Sequence, residues 1–282
     1  MKRLATVIGI VLGIVGVLGA QVLDHGSPAS LLNPSALMLI CMGTIGATLA
    51  STGMDAAMQA ITWLKQAMTP TLPDIEGERD RLIELAKKAR RAGLLQLEQD
   101  AEALEDPYLR RGLDNAIAGM EPEVIEDQMD AESLSLMERD LQGSHFFETA
   151  GGYSPTMGII GTVIGLISVL SNVSDIAKLA ASIATAFTAT LWGILLANLV
   201  WLPISQRLHG LAQSQRLLRD LQATAVASIA RGDSSRQLER QLGSMLAGHL
   251  QPQKAPKGAK GQASEAAEAA EAGAAAAGAE TP

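Results

Sequence analysis

The sequence has a single cysteine, Cys41, among 282 residues, and lacks the residue patterns of common catalytic sites. One cysteine cannot form a disulfide within the chain, and no cysteine and histidine cluster has the spacing of metal ligands. We find no nucleophile beside a general base, and no glycine-rich loop of the kind that binds phosphate. The four histidines are scattered, at His25, His145, His209 and His249. The sequence therefore predicts no enzyme, no catalytic residue, no metal site and no cofactor.

Aromatic residues and positive charge are also scarce. Aromatic residues make up 3% of the chain, and the formal net charge is −8, with the acidic excess in the polar segments. Because a protein that binds nucleic acid usually has a basic patch, we expect no nucleic-acid partner. Apolar residues make up 48% of the chain and the mean hydropathy is +0.18. These values fit a membrane protein with a sizeable soluble part.

Charged residues are missing from the middle of four long apolar runs. The runs cover approximately residues 4–23, 34–52, 154–171 and 179–203. Each run is about as long as a helix that crosses the hydrocarbon core of a bilayer. A cleaved signal peptide is the alternative for the first run, but the run is too long for one, and Leu18-Gly19-Ala20 lacks a small residue at its first position. We therefore predict an all-α integral membrane protein with four transmembrane helices.

The polar segments between and after these runs give the domain organisation. Residues 1–52 hold two spans and a short periplasmic turn, residues 53–152 form a large helical cytoplasmic loop, and residues 153–204 hold two more spans. Cytoplasmic helices are predicted over residues 205–250, and a disordered tail rich in alanine and glutamate over residues 251–282. The large loop has about ten lysines and arginines and the first turn has none, so both termini are predicted to face the cytoplasm.

Small and hydroxyl residues recur at helical spacing in the last two runs. On the third run they include Gly158, Gly161, Thr162 and Gly165, and on the fourth they include Thr190 and Gly193. Lipid does not require such a face, whereas a closely packed neighbouring helix does. The simple interpretation of these residues is therefore helix packing. The alternative is that the hydroxyl groups act where the helices meet, and the residues alone leave both interpretations open.

No aspartate, glutamate, lysine, arginine or histidine lies in the middle of the four runs. A carrier of protons needs a titratable group at membrane depth. Threonine hydroxyls can coordinate a sodium ion or hold a water molecule, but they do not titrate in a useful range. If the protein conducts ions, the sequence predicts that the carboxylate comes from another chain.

The third and fourth runs resemble the last two membrane helices of one protein family. The third reads SPTMGIIGTVIGL over residues 154–166, and the fourth reads ATLWGILLAN over residues 189–198, followed by Pro203. Both resemble the MotA/PomA family of flagellar stator subunits, and more loosely the wider superfamily with TolQ and ExbB. The resemblance covers the chain up to about residue 250. It has one departure, because Met42 stands where the family usually has the first glycine of Gly-Gly-Thr.

This resemblance implies an ion-driven motor subunit in a bacterial inner membrane. It implies a MotB-type partner with one span, whose membrane aspartate supplies the carboxylate, and a homo-oligomer, as a pentamer, in the lipid bilayer. It also implies that Thr162 and Thr190 belong to the ion pathway and that Pro155 and Pro203 mark bends in the helices. Sodium-type relatives often have two threonines where this chain has Ala189-Thr190, so the resemblance favours H⁺ over Na⁺.

A charged segment of the large loop matches the family as well. Residues 85–98 read LAKKARRAGLLQLE. In the family this segment faces the rotor protein FliG, and the match places that role on Arg90 and Glu98. Without the match, such charges would be interpreted as a solvated helix face.

Two other functions stay open at the level of the sequence. A TolQ/ExbB-type proton channel, which energises processes at the outer membrane, resembles the same two helices but has three spans. A membrane scaffold that conducts nothing is the second alternative, and it predicts that a subtle change at a threonine leaves ion flux unchanged. Four spans, arranged as two, a large loop and two more, favour the MotA-type stator subunit.

Overall fold

The computed structural model describes residues 2–23, 25, 31–171 and 176–250. The regular structure of these residues is entirely helical, so the predicted all-α fold is confirmed. The α-helices are α1 (Lys2–Leu23), α2 (Pro34–Thr52), α3 (Met54–Met68), α4 (Ile75–Ala92), α5 (Glu98–Glu102), α6 (Pro107–Ile117), α7 (Pro122–Ser171), α8 (Ile176–Leu196), α9 (Leu202–Arg231) and α10 (Ser235–Leu250). A 3₁₀ turn at Leu94–Leu97 precedes α5, and a π-helical turn at Ala197–Trp201 joins α8 to α9. Helices α1 to α9 belong to one compact unit that ends at Asp233, and α10 belongs to a second. The predicted disordered tail, residues 251–282, lies outside the described residues.

Three segments of the described chain are long and apolar enough to cross a membrane. They lie in Pro34–Thr52, Pro122–Ser171 and Leu179–Arg231. The apolar stretch of α1, Ile8–Leu23, is shorter. Of the four predicted spans, the last three are therefore matched by length and composition, and the first stays a prediction.

The third predicted span is part of a much longer helix. The boundary predicted at residue 153, between the cytoplasmic loop and this span, falls inside α7, which has 50 residues and includes Pro155. Proline has no N–H, so the carbonyl of Gly151 loses its usual helical donor. A sequence rule that ends helices before proline misses this continuity, because packing on both sides of Pro155 holds the helix together.

The fourth predicted span also continues, as predicted, beyond Pro203. The π-helical turn comes directly before this proline, which is the second residue of α9. The proline ring would crowd the carbonyl of Leu199, and a wider turn relieves that contact. Prolines and π-turns are the usual causes of helix bends, so two of them coincide here.

Four of the chain's eight aromatic residues hold the π-helical turn against α7. Trp201 of this turn stacks on Phe147, with ring centroids 6.2 Å apart. Phe147 packs edge-on against Phe146 at 5.4 Å, and Phe146 packs against Trp63 of α3 at 6.0 Å. The cluster thus joins α3, α7 and the start of α9.

Beyond this cluster, α7 and α9 pack along each other, and α4 and α6 pack on α9. An ion pair links α9 to α7, since Arg219 Nη2 lies 2.6 Å from Asp140 Oδ2. The buried Tyr108 hydroxyl of α6 donates to the carbonyl of Met129 in α7 at 2.9 Å. Burial raises the pKa of Tyr108, so this hydroxyl stays protonated and keeps its hydrogen bond.

Candidate functional site

Helices α7 and α8 lie antiparallel and meet along a seam of small residues. The residues that are buried along this seam are Ser154, Gly158, Gly161 and Gly165 of α7, then Ala186, Ala189 and Gly193 of α8, and Ala197 of the π-helical turn. They recur every three or four positions in both helices, which puts each set on one helix face. The stripe expected from the sequence is therefore a helix–helix contact.

Near its middle, the seam brings the two backbones into direct contact. A Cβ atom added at Gly193 would lie 2.8 Å from the carbonyl oxygen of Ser154 and 3.1 Å from Gly158 Cα. A Cβ atom added at Gly158 would lie 3.0 Å from Thr190 Cα. These neighbours are backbone atoms that no rotamer change can move, so the chain needs glycine at both positions.

The next two glycines of α7 contact alanines of α8. A Cβ atom at Gly161 would lie 2.6 Å from Ala189 Cβ, and one at Gly165 would lie 2.6 Å from Ala186 Cβ. Alanine has no rotamer with which to give way. The packing interpretation of the four glycines agrees with this geometry.

At the edge of the seam, the hydroxyl groups of Thr162 and Thr190 are hydrogen-bonded to each other. We call these two residues the threonine pair. Thr162 Oγ1 also lies 3.2 Å from the carbonyl oxygen of Gly158 and 3.3 Å from that of Ala186. Thr190 Oγ1 lies 3.4 Å from the Gly158 carbonyl oxygen. Because each hydroxyl has one proton, it donates to one of these acceptors at a time and keeps lone pairs for another group.

Both members of the threonine pair are partly exposed in the described chain. An open groove of about 410 Å³ lies beside the seam, and its wall includes Gly161, Gly165 and residues of α2 but neither threonine. The pair therefore lies apart from this groove and is accessible to a neighbouring group.

Further hydroxyl groups lie above and below the pair. Ser154 Oγ donates to the carbonyl of Gly193 at 2.9 Å, and Ser168 Oγ lies 3.2 Å from Ser182 Oγ. The prediction from the sequence did not include Ser182, although its spacing of eight residues from Thr190 places it on the same face of α8. Hydroxyl groups thus follow the whole seam.

The seam offers oxygen atoms but no titratable group. Among the described residues, no three histidine, cysteine, aspartate or glutamate side chains come together to hold a metal ion. Hydroxyl and carbonyl oxygens can bind a cation or a water molecule, and they cannot carry a proton by titration. Proton transfer along this seam would therefore need a titratable group from outside it.

Arg90 and Glu98 lie far along the chain from the seam, beside a tight turn. Arg90 is in the last turn of α4 and Glu98 is the first residue of α5. Gly93 between them has φ +90, a conformation that favours glycine. Both charged side chains are exposed, and neither makes an ion pair or hydrogen bond with another described residue. The structure leaves both charged side chains exposed and available to a partner.

Comparison with known proteins gives consistent matches. Residues 100–221 match the MotA/TolQ/ExbB proton channel family. Motility protein A of Bacillus subtilis is 33% identical over 238 residues, which are 84% of this chain and 88% of that protein. Chemotaxis protein PomA of Vibrio alginolyticus is 28% identical over 243 residues, which are 86% of this chain and 95% of that protein.

Two solved structures are similar to the fold. A MotAB structure from C. jejuni has a TM-score of 0.81 and 27% identity, and the match covers 89% of this chain and 98% of that one. The flagellar MotAB stator complex from Bacillus subtilis has a TM-score of 0.76 and 33% identity, over 84% of this chain and 93% of that one. The similarity therefore extends over most of the chain.

Proposed function

The chain belongs to the MotA/TolQ/ExbB proton channel family as a flagellar motor stator subunit of the inner membrane, and on that premise we propose that the threonine pair is its part of the ion pathway. The observation that carries this proposal is the hydrogen bond between Thr162 and Thr190 at the open edge of the seam. A hydroxyl pair in this position can bind the ion, a water molecule or a carboxylate.

The carboxylate comes from a partner in this proposal. The similar solved structures are complexes of MotA with MotB, which supports a MotB-type partner and an oligomeric assembly. We assign to this partner a single span with one membrane aspartate that faces the threonine pair. A ring of five copies around the partner, turned by ion passage, is the arrangement that the family resemblance suggests.

The ion is assigned as H⁺ rather than Na⁺. Ala189 packs against Gly161 and supplies no oxygen atom from its side chain, so the site has two threonine hydroxyls rather than three. Fewer hard oxygen ligands disfavour a dehydrated sodium ion. Swimming in sodium-free medium, by cells that depend on this chain and a MotB-type partner, tests the assignment.

We further propose four spans, with both termini and the large loop in the cytoplasm. In a Cys41→Ala background, cysteines at Leu32 and Ser171 are expected to react with a membrane-impermeant thiol reagent from outside the cell. A cysteine at Gln99 is expected to react only after the membrane is opened, because its loop is rich in basic residues. All three positions are exposed, so reactivity reports sidedness rather than burial. Labelling of Gln99 in intact cells would contradict the four-span topology.

Arg90 and Glu98 are proposed to contact the rotor protein FliG. Their exposure, their lack of partners within the described chain and the matched segment support this role. The Lys88–Asp100 ion pair, with 2.6 Å between Nζ and Oδ2, ties α4 to α5 and fixes the turn between the two proposed contacts.

In cells without their own stator, this chain and a MotB-type partner are expected to restore swimming, and Arg90→Glu with Glu98→Lys to slow it. Each exposed pair contributes about 1 kcal/mol or less, so the single changes have small effects and the double change a larger one. The amount of membrane complex serves as the control, because surface charges do not stabilise the seam. Partial recovery by charge reversal on the rotor protein supports contact, and normal swimming of the double variant at high load contradicts it.

A further inference from the structure

Gln222 of α9 is a buried amide that holds two carboxylates. Its side chain is 1% exposed. Its Nε2 donates to Glu78 Oε1 at 2.9 Å and to Asp106 Oδ2 at 2.8 Å. Its Oε1 is buried and has no hydrogen-bond donor among the described residues. A buried oxygen without a donor is unfavourable, so stability alone does not account for an amide here.

The two carboxylates belong to the starts of two helices. Glu78 lies in the first turn of α4, and Asp106 is the N-cap of α6, where its Oδ1 accepts a hydrogen bond from Tyr108 N at 3.0 Å. Without the amide between them, two carboxylates this close would repel each other. Gln222 therefore fixes both helix starts on one point of α9.

The opposite end of α4 carries Arg90. Twelve residues separate Glu78 from Arg90, which corresponds to about 18 Å along a helix. A small tilt of α4 at its first turn consequently moves Arg90 further than it moves Glu78. The hydrogen bond at the start of the helix thus has its largest geometric effect at the proposed rotor contact.

The point on α9 that Gln222 occupies is itself connected to the seam. Arg219 pairs with Asp140 of α7 at 2.6 Å, and Asp220 accepts a hydrogen bond from Ser133 of α7 at 3.3 Å. Helix α9 follows α8 through the π-helical turn without a break, and α7 continues into the seam. Helices α7 and α9 therefore form one paired support, which extends from the π-helical turn at the end of the seam to Gln222.

We propose that Gln222 is a positioning residue that sets the placement of α4, so that movement of the α7 and α9 support reaches the rotor-facing end of α4. This inference rests on the proposed function, since it needs a rotor contact at that end. Gln222 lies outside the ion pathway and touches neither the ion nor the rotor.

Gln222→Met keeps the length of the side chain and removes the amide. It separates a role in the placement of α4 from a role in the ion pathway. We expect swimming at least about twofold slower, the lower end of what a change in coupling between sites gives. Ion flux into membrane vesicles and co-purification with the MotB-type partner are expected to match those of the parent. Gln128→Met is the control, because it removes an exposed amide with a single weak contact at 3.4 Å and should change none of the three measurements.

A swap of the amide and carboxylate groups tests the hydrogen bonds of Gln222 themselves. Gln222→Glu places three carboxylates together and is expected to be slower than Gln222→Met. Adding Glu78→Gln and Asp106→Asn reverses both hydrogen bonds, so that two amides donate to one carboxylate, and is expected to recover most of the speed. If Gln222→Met does not assemble, the swap variant tests the inference instead. It keeps a hydrogen-bonding side chain at each of the three positions.

Parental speed of Gln222→Met would overturn the inference, as would a swap variant that assembles and conducts but remains as slow as Gln222→Glu. Flux that falls in proportion to speed would also overturn it, because the defect would then lie in the pathway. The rotor contact is tested separately by Arg90→Glu with Glu98→Lys. Normal swimming of that variant rejects the rotor contact itself, whatever the result at Gln222.

Discussion

Thr190→Val is expected to abolish swimming while the stator complex still assembles. Valine has nearly the same shape as threonine but no hydroxyl, so the seam keeps its packing and loses one side of the threonine pair. A hydrogen bond to a charged group contributes about 1.5–3 kcal/mol. If the hydroxyl bonds the ion or the partner's carboxylate, ion flux falls roughly 10- to 150-fold.

Thr162→Val is expected to have a smaller effect. Thr162 Oγ1 lies 3.2–3.3 Å from two backbone carbonyls, so its proton has acceptors within the seam. The backbone hydrogen bond of Thr190 Oγ1, to the carbonyl of Gly158, is longer at 3.4 Å, which leaves this hydroxyl more available to a neighbouring group. The order of the two effects therefore tests the geometry of the pair.

Thr188→Val provides a matched control for both changes. Thr188 is buried in the same helix, and its hydroxyl donates to the carbonyl of Ala184 within that helix at 2.7 Å. Swimming speed, ion flux and co-purification with the partner should be measured for the three variants, with and without sodium. Parental swimming of Thr190→Val in both media means that the hydroxyl is outside the pathway, as the scaffold alternative requires.

Gly193→Ala is expected to prevent assembly of the complex. The added methyl carbon would lie 2.8 Å from the Ser154 carbonyl oxygen and 3.1 Å from Gly158 Cα. Overpacking of this kind costs typically about 1–3 kcal/mol, and the cost is at the upper end when backbone atoms must move. The two helices must separate to accept it, and the Ser154 hydrogen bond to Gly193 is then lost.

Gly46→Ala is the matched control for this substitution. Gly46 lies in α2, which is long and apolar enough to cross a membrane, and a Cβ atom added there meets no atom within 4 Å. Alanine favours a helix over glycine by about 1 kcal/mol, so this variant should assemble at least as well as the parent. The yield and melting temperature of the purified complex measure both variants. A Gly193→Ala complex with parental melting temperature would mean that the two backbones are not in contact.

The sequence predicts the seam well because the requirements of close packing are local. Gly158, Gly161 and Gly165 recur at helical spacing, and so do Thr190 and Gly193, which is enough to place each set on one helix face. The spacing also puts both threonines on the faces that meet. Their role in ion passage is implied by the family resemblance and stays a proposal.

The continuity of α7 through Pro155 is not predictable from local rules. Pro155 and Pro203 both read as ends or kinks, and nothing near them in the sequence announces that α7 continues or that a π-helical turn precedes α9. The role of Gln222 cannot be predicted from the sequence for a related reason. Glutamine is usually exposed, and its two partners lie 144 and 116 residues away, so only the tertiary structure brings them together.

The backbone contact between Gly158 and Gly193 also limits the kinds of motion that the stator can use. Shear would slide α7 along α8 and carry residues with side chains into positions where no Cβ atom fits. The contact therefore opposes sliding of the two helices, and we expect changes in their shape to come from bends near one end of the seam. The two candidate hinges lie at the same level of the hairpin, at Pro155 in one helix and at the π-helical turn before Pro203 in the other. We therefore expect a stator with this seam to move by hinge bending near Pro155 and the π-helical turn rather than by sliding of one helix along the other.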